Sequence, residues 1–227
     1  MAVVNGTAGN DLIHVAGDGG LIDGGDGNDS LIGGAWGDTL LGGAGIDVIS
    51  YGSGSGVRVD LATGRSLYGD AQGDTLSGIE NLSGSQGSDS LYGNTGANVL
   101  QGWNGNDLLV GRAGKDTLTG GAGADRFQFT AIGDSVVGAN ADRITDFSHA
   151  RGDRIDLAAI DARFTVAGDQ AFSFIGTAAF TGVTGQLHHR HDSGRTIVSG
   201  NVNGNRTADF NITLTGTINL VAADFVL

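Results

Sequence analysis

The residues with chemistry to offer are aspartates, and they recur at fixed intervals. Asp29, Asp38 and Asp47 stand nine residues apart, each the sixth residue of a unit reading Gly-Gly-x-Gly-x-Asp-x-U-x, where U is a large aliphatic residue. Three such units, GGDGNDSLI, GGAWGDTLL and GGAGIDVIS, run head to tail over residues 24–50. Looser units occupy 6–14 and 15–23, and five more occupy 84–92, 93–101, 102–110, 111–119 and 120–128. A nonapeptide of this kind signals a parallel β-helix that binds Ca²⁺. A flexible Gly/Asp linker explains the glycines but not the hydrophobe in every ninth place.

The elements that must position these carboxylates follow from the spacing. Each unit splits into a six-residue turn and a three-residue strand, with U at the strand centre pointing inward. Two nonamers reverse the chain twice and complete a coil, so units 18 residues apart stack in one parallel sheet about 4.8 Å apart. Ile13, Leu31 and Ile49 are expected to stack on one side, Ile22 and Leu40 on the other. In the second array Leu91, Leu109 and Phe127 face Leu100 and Leu118. The same stacking aligns Asp11, Asp29 and Asp47 in one column and Asp89, Asp107 and Asp125 in another. Carboxylates about 5 Å apart repel unless a cation lies between them. Ca²⁺ accepts about six to eight oxygens, carboxylate and carbonyl alike.

Composition supports this. The 227 residues carry a net charge of −13, with 43 Gly, no Pro and no Cys. The acids are 24 Asp and a single Glu, Glu80, and no Lys or Arg precedes Arg58. Such a segment has too little apolar surface to offset its chain entropy without a cation. The metal-free repeats are therefore expected to be largely disordered. About six Ca²⁺ ions would bring the net charge near −1. The acidity then belongs to the sites themselves and excludes nucleic acid or membrane insertion as a role. The opening MAVVNGTAGND has neither the basic nor the apolar region of a secretory signal. No apolar run reaches the roughly 18 residues of a membrane span. A fold that needs Ca²⁺ implies a secreted, extracellular or cell-surface location, so export must be directed from elsewhere in the chain.

The nonamers resemble the repeats-in-toxin (RTX) family, and the resemblance implies ligands. In that family an ion lies between two stacked turns. It takes carbonyls two and four and the Asp of the first turn, then carbonyls one and three and the Asp of the next. One site would comprise Thr7, Gly9, Asp11, Gly24, Asp26 and Asp29, and a second Gly25, Gly27, Asp29, Gly42, Ala44 and Asp47. A third would comprise Ser85, Gly87, Asp89, Gly102, Asn104 and Asp107, and a fourth Trp103, Gly105, Asp107, Gly120, Ala122 and Asp125. Two further pairs are imperfect: Gly20 stands where an Asp should partner Asp38, and Asn98 where one should partner Asp116. Trp36 replaces the fourth-position glycine of its turn.

The tail resembles the C-terminal domain of serralysin-type secreted metalloproteases, through GGAGADRFQF, DRITDFSHARGDRIDLAAI and Asp224-Phe225-Val226-Leu227. That resemblance implies a last ion beside Asp134 and Asp142. It also implies that the acidic–apolar tetrad serves as an uncleaved signal for a type I secretion exporter. The expected organisation is a first array at 1–50, a spacer coil at 51–83, a second array at 84–128 and a C-terminal β cap at 129–227. All nine Phe lie from Phe127 onward. The segments 126–130, 172–175, 186–191, 196–201 and 209–214 are read as antiparallel strands of that cap. Glu80 is read as a solvated strand edge, and Asn201 to Asp209 as a hairpin turn. His188, His189 and His191 are read as surface polar residues, and Trp36 and Trp103 as shields for turn backbones.

Catalytic motifs are missing. There is no H-E-x-x-H, no G-x-S-x-G and no phosphate-binding loop. The reading is an all-β, non-catalytic calcium-binding roll. A polysaccharide-binding module like those of alginate epimerases is the alternative, with an extracellular polysaccharide as partner. A β-helix polysaccharide lyase or epimerase is a third possibility.

Overall fold

The computed structural model describes residues 3–15, 17, 19–163 and 166–227. Ala16 and Asp18 of the second nonamer, and Phe164 of the cap, lie outside the described residues. The first part of the chain forms β1 (Val3–Asn5), β2 (Leu12–His14), β3 (Leu21–Asp26), β4 (Ser30–Ile32), β5 (Thr39–Ala44) and β6 (Val48–Ser50). Then come β7 (Arg58–Asp60), β8 (Arg65–Leu67), β9 (Thr75–Ser77) and β10 (Asn81–Ser83). The second array supplies β11 (Ser90–Tyr92), β12 (Val99–Asn104), β13 (Leu108–Val110), β14 (Thr117–Ala122) and β15 (Arg126–Gln128). The tail adds β16 (Asp142–Ile144), β17 (Arg154–Asp156), β18 (Ser173–Phe174), β19 (Gln186–Asp192), β20 (Arg195–Asn201), β21 (Phe210–Thr215) and β22 (Phe225–Val226). Among the described residues the only helical pieces are three 3₁₀ turns, and no helix is long and apolar enough to cross a membrane.

The strands form two sheets, ordered β1-β3-β5-β9-β8-β7-β11-β13-β15-β17-β22 and β18-β19-β20-β21-β16-β14-β12-β10-β6-β4-β2. Consecutive nonamers alternate between the sheets, and units 18 residues apart pair in parallel: Ile22 opposite Leu40, Ile13 opposite Leu31, Leu91 opposite Leu109. The expected aliphatic stacks are thus observed, and Leu31, Leu40, Ile49, Leu91, Leu100, Leu109, Leu118 and Phe127 are fully buried. Through the repeats the core is the two facing stacks of such side chains between the sheets. Each would cost about 2–5 kcal/mol to truncate to Ala.

The spacer gives β7, β8 and β9 to the first sheet and only β10 to the second. In the second sheet β6 pairs directly with β10, Ile49 opposite Leu82. In the first, the antiparallel pair β7–β8 is inserted between β9 and β11. Two hidden nonamers account for this. Residues 52–60 read GSGSGVRVD, with Val57 in the aspartate place and Val59 as U. Residues 69–77 read GDAQGDTLS, with Asp74 and Leu76 in register. Arg112 ties the insertion to the second array through paired contacts to both Asp60 oxygens at 2.8 Å, and its guanidinium sits over the Tyr92 ring with that of Arg58.

The tail differs from expectation in three places. The segment 126–130 is not a cap strand: β15 pairs in parallel with β13 and β17, because Phe127 takes the U place and Asp125 the turn place. The segment 172–175 forms the short β18, parallel rather than antiparallel to β19. The expected antiparallel meander is β19-β20-β21, and its turn, residues 202–209, is held by Val202 N–H to Asp209 and Asn201 to Thr207. His189 is also not a surface residue. It is 3 % exposed and stacked on Phe174, with ring centroids 5.8 Å apart. Alternation along β19 turns it inward with Leu187. Coil stacking continues beyond 128 through β16, β17 and β22.

Candidate metal centre

A turn residue becomes a ligand only if the backbone holds it against its neighbour one coil away. The strands do this by register. Gly25 lies opposite Gly43 and Asp26 opposite Ala44; Trp103 lies opposite Gly121 and Asn104 opposite Ala122. The structure therefore brings together the turn of Gly25, Gly27 and Asp29 with that of Gly42, Ala44 and Asp47. It likewise joins Trp103, Gly105 and Asp107 with Gly120, Ala122 and Asp125. The turn of Thr7, Gly9 and Asp11 stacks on Gly24–Asp29, with Asp26 N–H bonded to the Thr7 carbonyl at 3.2 Å. The turn of Ser85, Gly87 and Asp89 stacks on Gly102–Asp107, with Asp89 N–H reaching Asp107 at 2.8 Å.

The aspartates form two ladders, one on each edge of the roll. On one edge Asp11 N–H donates to Asp29 Oδ1 (2.9 Å), Asp29 to Asp47 (2.7 Å) and Asp47 to Glu80 Oε2 (2.9 Å). The ladder resumes at Asn98, which donates to Asp116 (2.8 Å), and Asp116 donates to Asp142 (2.8 Å). On the other edge Gly20 donates to Asp38 (2.6 Å) and Asp38 to Asp74 (2.9 Å). There Val57 donates to Asp89 (2.8 Å), Asp107 to Asp125 (3.0 Å) and Asp125 to Asp153 (3.1 Å).

Each ladder rung uses one carboxylate oxygen and leaves the second. The Oδ2 atoms of Asp29, Asp47, Asp107, Asp116, Asp125 and Asp142 are buried with no hydrogen-bond partner. A bare buried carboxylate oxygen is costly, and those of Asp29, Asp47, Asp107, Asp116 and Asp125 point into glycine-lined gaps. A methyl on Gly24 would overlap Asp29 Oδ2 and lie 2.5 Å from the Gly42 carbonyl oxygen. One on Gly102 would overlap Asp107 Oδ2 and lie 2.6 Å from the Gly120 oxygen. Carboxylate and carbonyl oxygens from adjacent turns thus converge on one space, and a hard cation fits that donor set. Among the described residues no three acidic or imidazole side chains gather at one point. Each gap has two carboxylates and relies on carbonyls for the rest.

Other predicted ligands are otherwise engaged. The second oxygens of Asp11, Asp38 and Asp89 accept N–H groups from Thr7 (2.6 Å), Gly34 (2.9 Å) and Ser85 (2.6 Å) of their own turns. The carbonyls of Ala44 and Ala122 accept from Gly27 (2.8 Å) and Gly105 (2.9 Å), which leaves each one lone pair. Asp134 accepts from Thr130 and Ala131, and its charge bears on Asp116 and Asp142. Trp103 adopts φ 78° in the place where Gly25 and Gly121 have φ 92° and 103°, and Trp36 adopts φ 75°. Trp103 Nε1 donates to Ser83 Oγ at 2.8 Å.

Electrostatics agree with an unmet need for positive charge. Burial raises the carboxyls of Asp107 and Asp116 to about 7, Asp125 to about 6 and Asp142 to about 8, opposed by the ladder N–H and reinforced by neighbouring aspartates.

Sequence reasoning missed Asp74, Asp153 and the ladder role of Glu80. Asp74 and Asp153 had a signal: Gly73-Asp74-Thr75-Leu76 and Gly152-Asp153-Arg154-Ile155 repeat the end of a nonamer turn. Glu80 takes the ladder place of an aspartate, its Oε2 accepting from Asp47 N–H.

A family model described as peptidase M10 serralysin C terminal matches residues 6–227. The chain belongs to this family. As a serralysin C-terminal chain it is a calcium-binding RTX roll. Among solved structures it is similar to the AlgE6R3 subunit of the Azotobacter vinelandii mannuronan C5-epimerase, at 32 % identity over 65 % of this chain and 77 % of that one, with a TM-score of 0.46. It is also similar to the extracellular lipase LipA of Serratia marcescens, at 16 % identity, a TM-score of 0.33 and 40 % of that chain. No curated protein sequence matches it.

Proposed function

We propose that this serralysin C-terminal chain is a non-catalytic module that leaves the cell unfolded through a type I exporter and folds outside on Ca²⁺. The observation that carries the reading is the set of six buried aspartate oxygens without partners. Ca²⁺ binding there becomes folding free energy, because the unfolded chain has no preformed site. About six ions would occupy the stacked turns. The ligands are those of the four complete turn pairs, with Asp38 partnered by Asp74 and Asp116 by Asp142. In chelator the far-ultraviolet circular dichroism should show mostly coil, and millimolar Ca²⁺ should produce a β spectrum cooperatively. A spectrum that is β-rich in chelator and unmoved by Ca²⁺ overturns the reading.

Export rests on the family and on the tetrad Asp224-Phe225-Val226-Leu227. An exporter that takes an unfolded chain has only sequence to recognise. Deleting 224–227 should keep the protein inside a cell that carries a type I exporter, scored as the ratio of culture supernatant to cell pellet. Normal secretion of the shortened chain removes the tetrad from that role.

A further inference from the structure

We propose that the outer face of the second sheet carries a binding groove for a carboxylate-bearing oligosaccharide. This goes beyond calcium-driven folding. Two adjoining cavities of about 300 and 330 Å³ share Gly138, Ala139, Arg195 and Thr213, so they form one trough. Its floor is set by strand register: Thr117 lies opposite Arg143, Arg143 opposite Thr213, Thr213 opposite Ile197 and Ile197 opposite Arg190. Four strand spacings of about 4.8 Å make this row roughly 19 Å long. The segment 138–141 walls one side.

The trough is basic in a chain of net charge −13. Lys115, Arg143, Arg190 and Arg195 line it, and all four are exposed. Arg190 and Arg195 share one acid, Asp192, at 3.5 and 3.6 Å. Lys115 and Arg143 have no ion-pair partner among the described residues. The other acid on its floor, Asp116, is buried and belongs to the calcium ladder.

The ligand class follows from the donors. A guanidinium presents a planar fork that matches a carboxylate. The hydroxyls of Thr117 and Thr213 flank Arg143 on either side and suit sugar hydroxyls. Charge density separates the candidates. Duplex nucleic acid carries about one charge per 1.7 Å, so four cations along about 19 Å leave most phosphates uncompensated against an acidic protein. A polyuronate carries one charge per sugar, which four spaced cations match.

The test is calorimetric titration of the Ca²⁺-loaded chain with trigalacturonate, maltotriose and a short oligothymidylate. Trigalacturonate should bind at one site and maltotriose should not. Raising NaCl from 50 to 500 mM should weaken the binding at least tenfold. The R143A/R195A variant should lose at least tenfold in affinity while keeping the Ca²⁺-induced β spectrum. R143K/R195K, which keeps the charges but not the forks, should fall between. R58A/R65A, on the opposite sheet, should bind like the parent. No trigalacturonate binding, equal binding of maltotriose, tighter binding of oligothymidylate, or full affinity in R143A/R195A overturns the proposal.

Discussion

An aspartate that gives one oxygen to a ladder and buries the other bare is stable only as an acid or against a cation. Asp107, Asp116, Asp125 and Asp142 stand at about 7, 7, 6 and 8, above the 3.8 of an ordinary aspartate, because burial disfavours their charge. The sign follows from linkage. A carboxyl whose pKa is raised on folding stabilises the fold fully below pH 3.8, and that stabilisation is lost as pH rises through about 6 to 8. The metal-free chain should therefore show more β structure at pH 5 than at pH 8. Its Ca²⁺ midpoint should rise as pH falls, because protons compete for the same oxygens. Circular dichroism of dialysed, metal-free protein across this range checks both; a metal-free fold that gains structure with rising pH contradicts the ladder picture. The glycines make a second prediction. Gly102→Ala places a methyl against Asp107 Oδ2 and the Gly120 carbonyl, whereas Gly54→Ala meets nothing within 4 Å. The first should raise the Ca²⁺ midpoint severalfold and the second leave it nearly unchanged. Equal midpoints would mean the gap beside Gly102 holds no ion.

At the scale of elements, the short terminal strand is part of the roll. Phe225 of β22 lies opposite Ile155, is 5 % exposed and packs on Phe174 at 4.9 Å. Asp224 bonds His149 at 2.8 Å. Asp224 and Phe225 are buried, so this tetrad packs as part of the roll. Phe225→Ala should cost about 3–5 kcal/mol, read as a lower thermal midpoint in saturating Ca²⁺. A wild-type melting point would show that β22 does not seal the sheet. The inserted β7–β8 pair follows the same logic: it survives because Arg112 joins it to the second array through Asp60 and Tyr92.

For the whole molecule, charge is distributed unevenly. No cation precedes Arg58, and the ion pairs of the described residues, Arg112–Asp60, Arg126–Asp156 and Arg151–Asp146 among them, lie at or beyond residue 60. Within the first array no Lys or Arg offsets the acids. The tail adds an aromatic core, with Phe172 edge-on to Phe210 and Phe127 beside Phe147. The two sheets run through both regions, so the aspartate ladders and the aromatic core share one solenoid.

The nonamer spacing by itself determined the parallel roll, the inward aliphatic stacks and the aspartate columns, because stacking one coil on the next is a local rule repeated every 18 residues. It also located the turns of Asp29, Asp47, Asp107 and Asp125. Only tertiary structure decided what lies across interrupted repeats. Asp74 became the partner of Asp38 because β9, 36 residues later, stacks on β5 while β7 and β8 lie farther along the sheet. Asp142 and Asp153 extended the ladders beyond the glycine-rich units, since a parallel strand needs register but not the glycine signature. His189 turned inward because β19 pairs with β20 and covers the aromatic core. The basic trough joins Lys115 to Arg195 across 80 residues of sequence, a proximity that depends on β21 docking against β16. Local periodicity fixes what repeats; contacts between distant strands fix where the repeats stop.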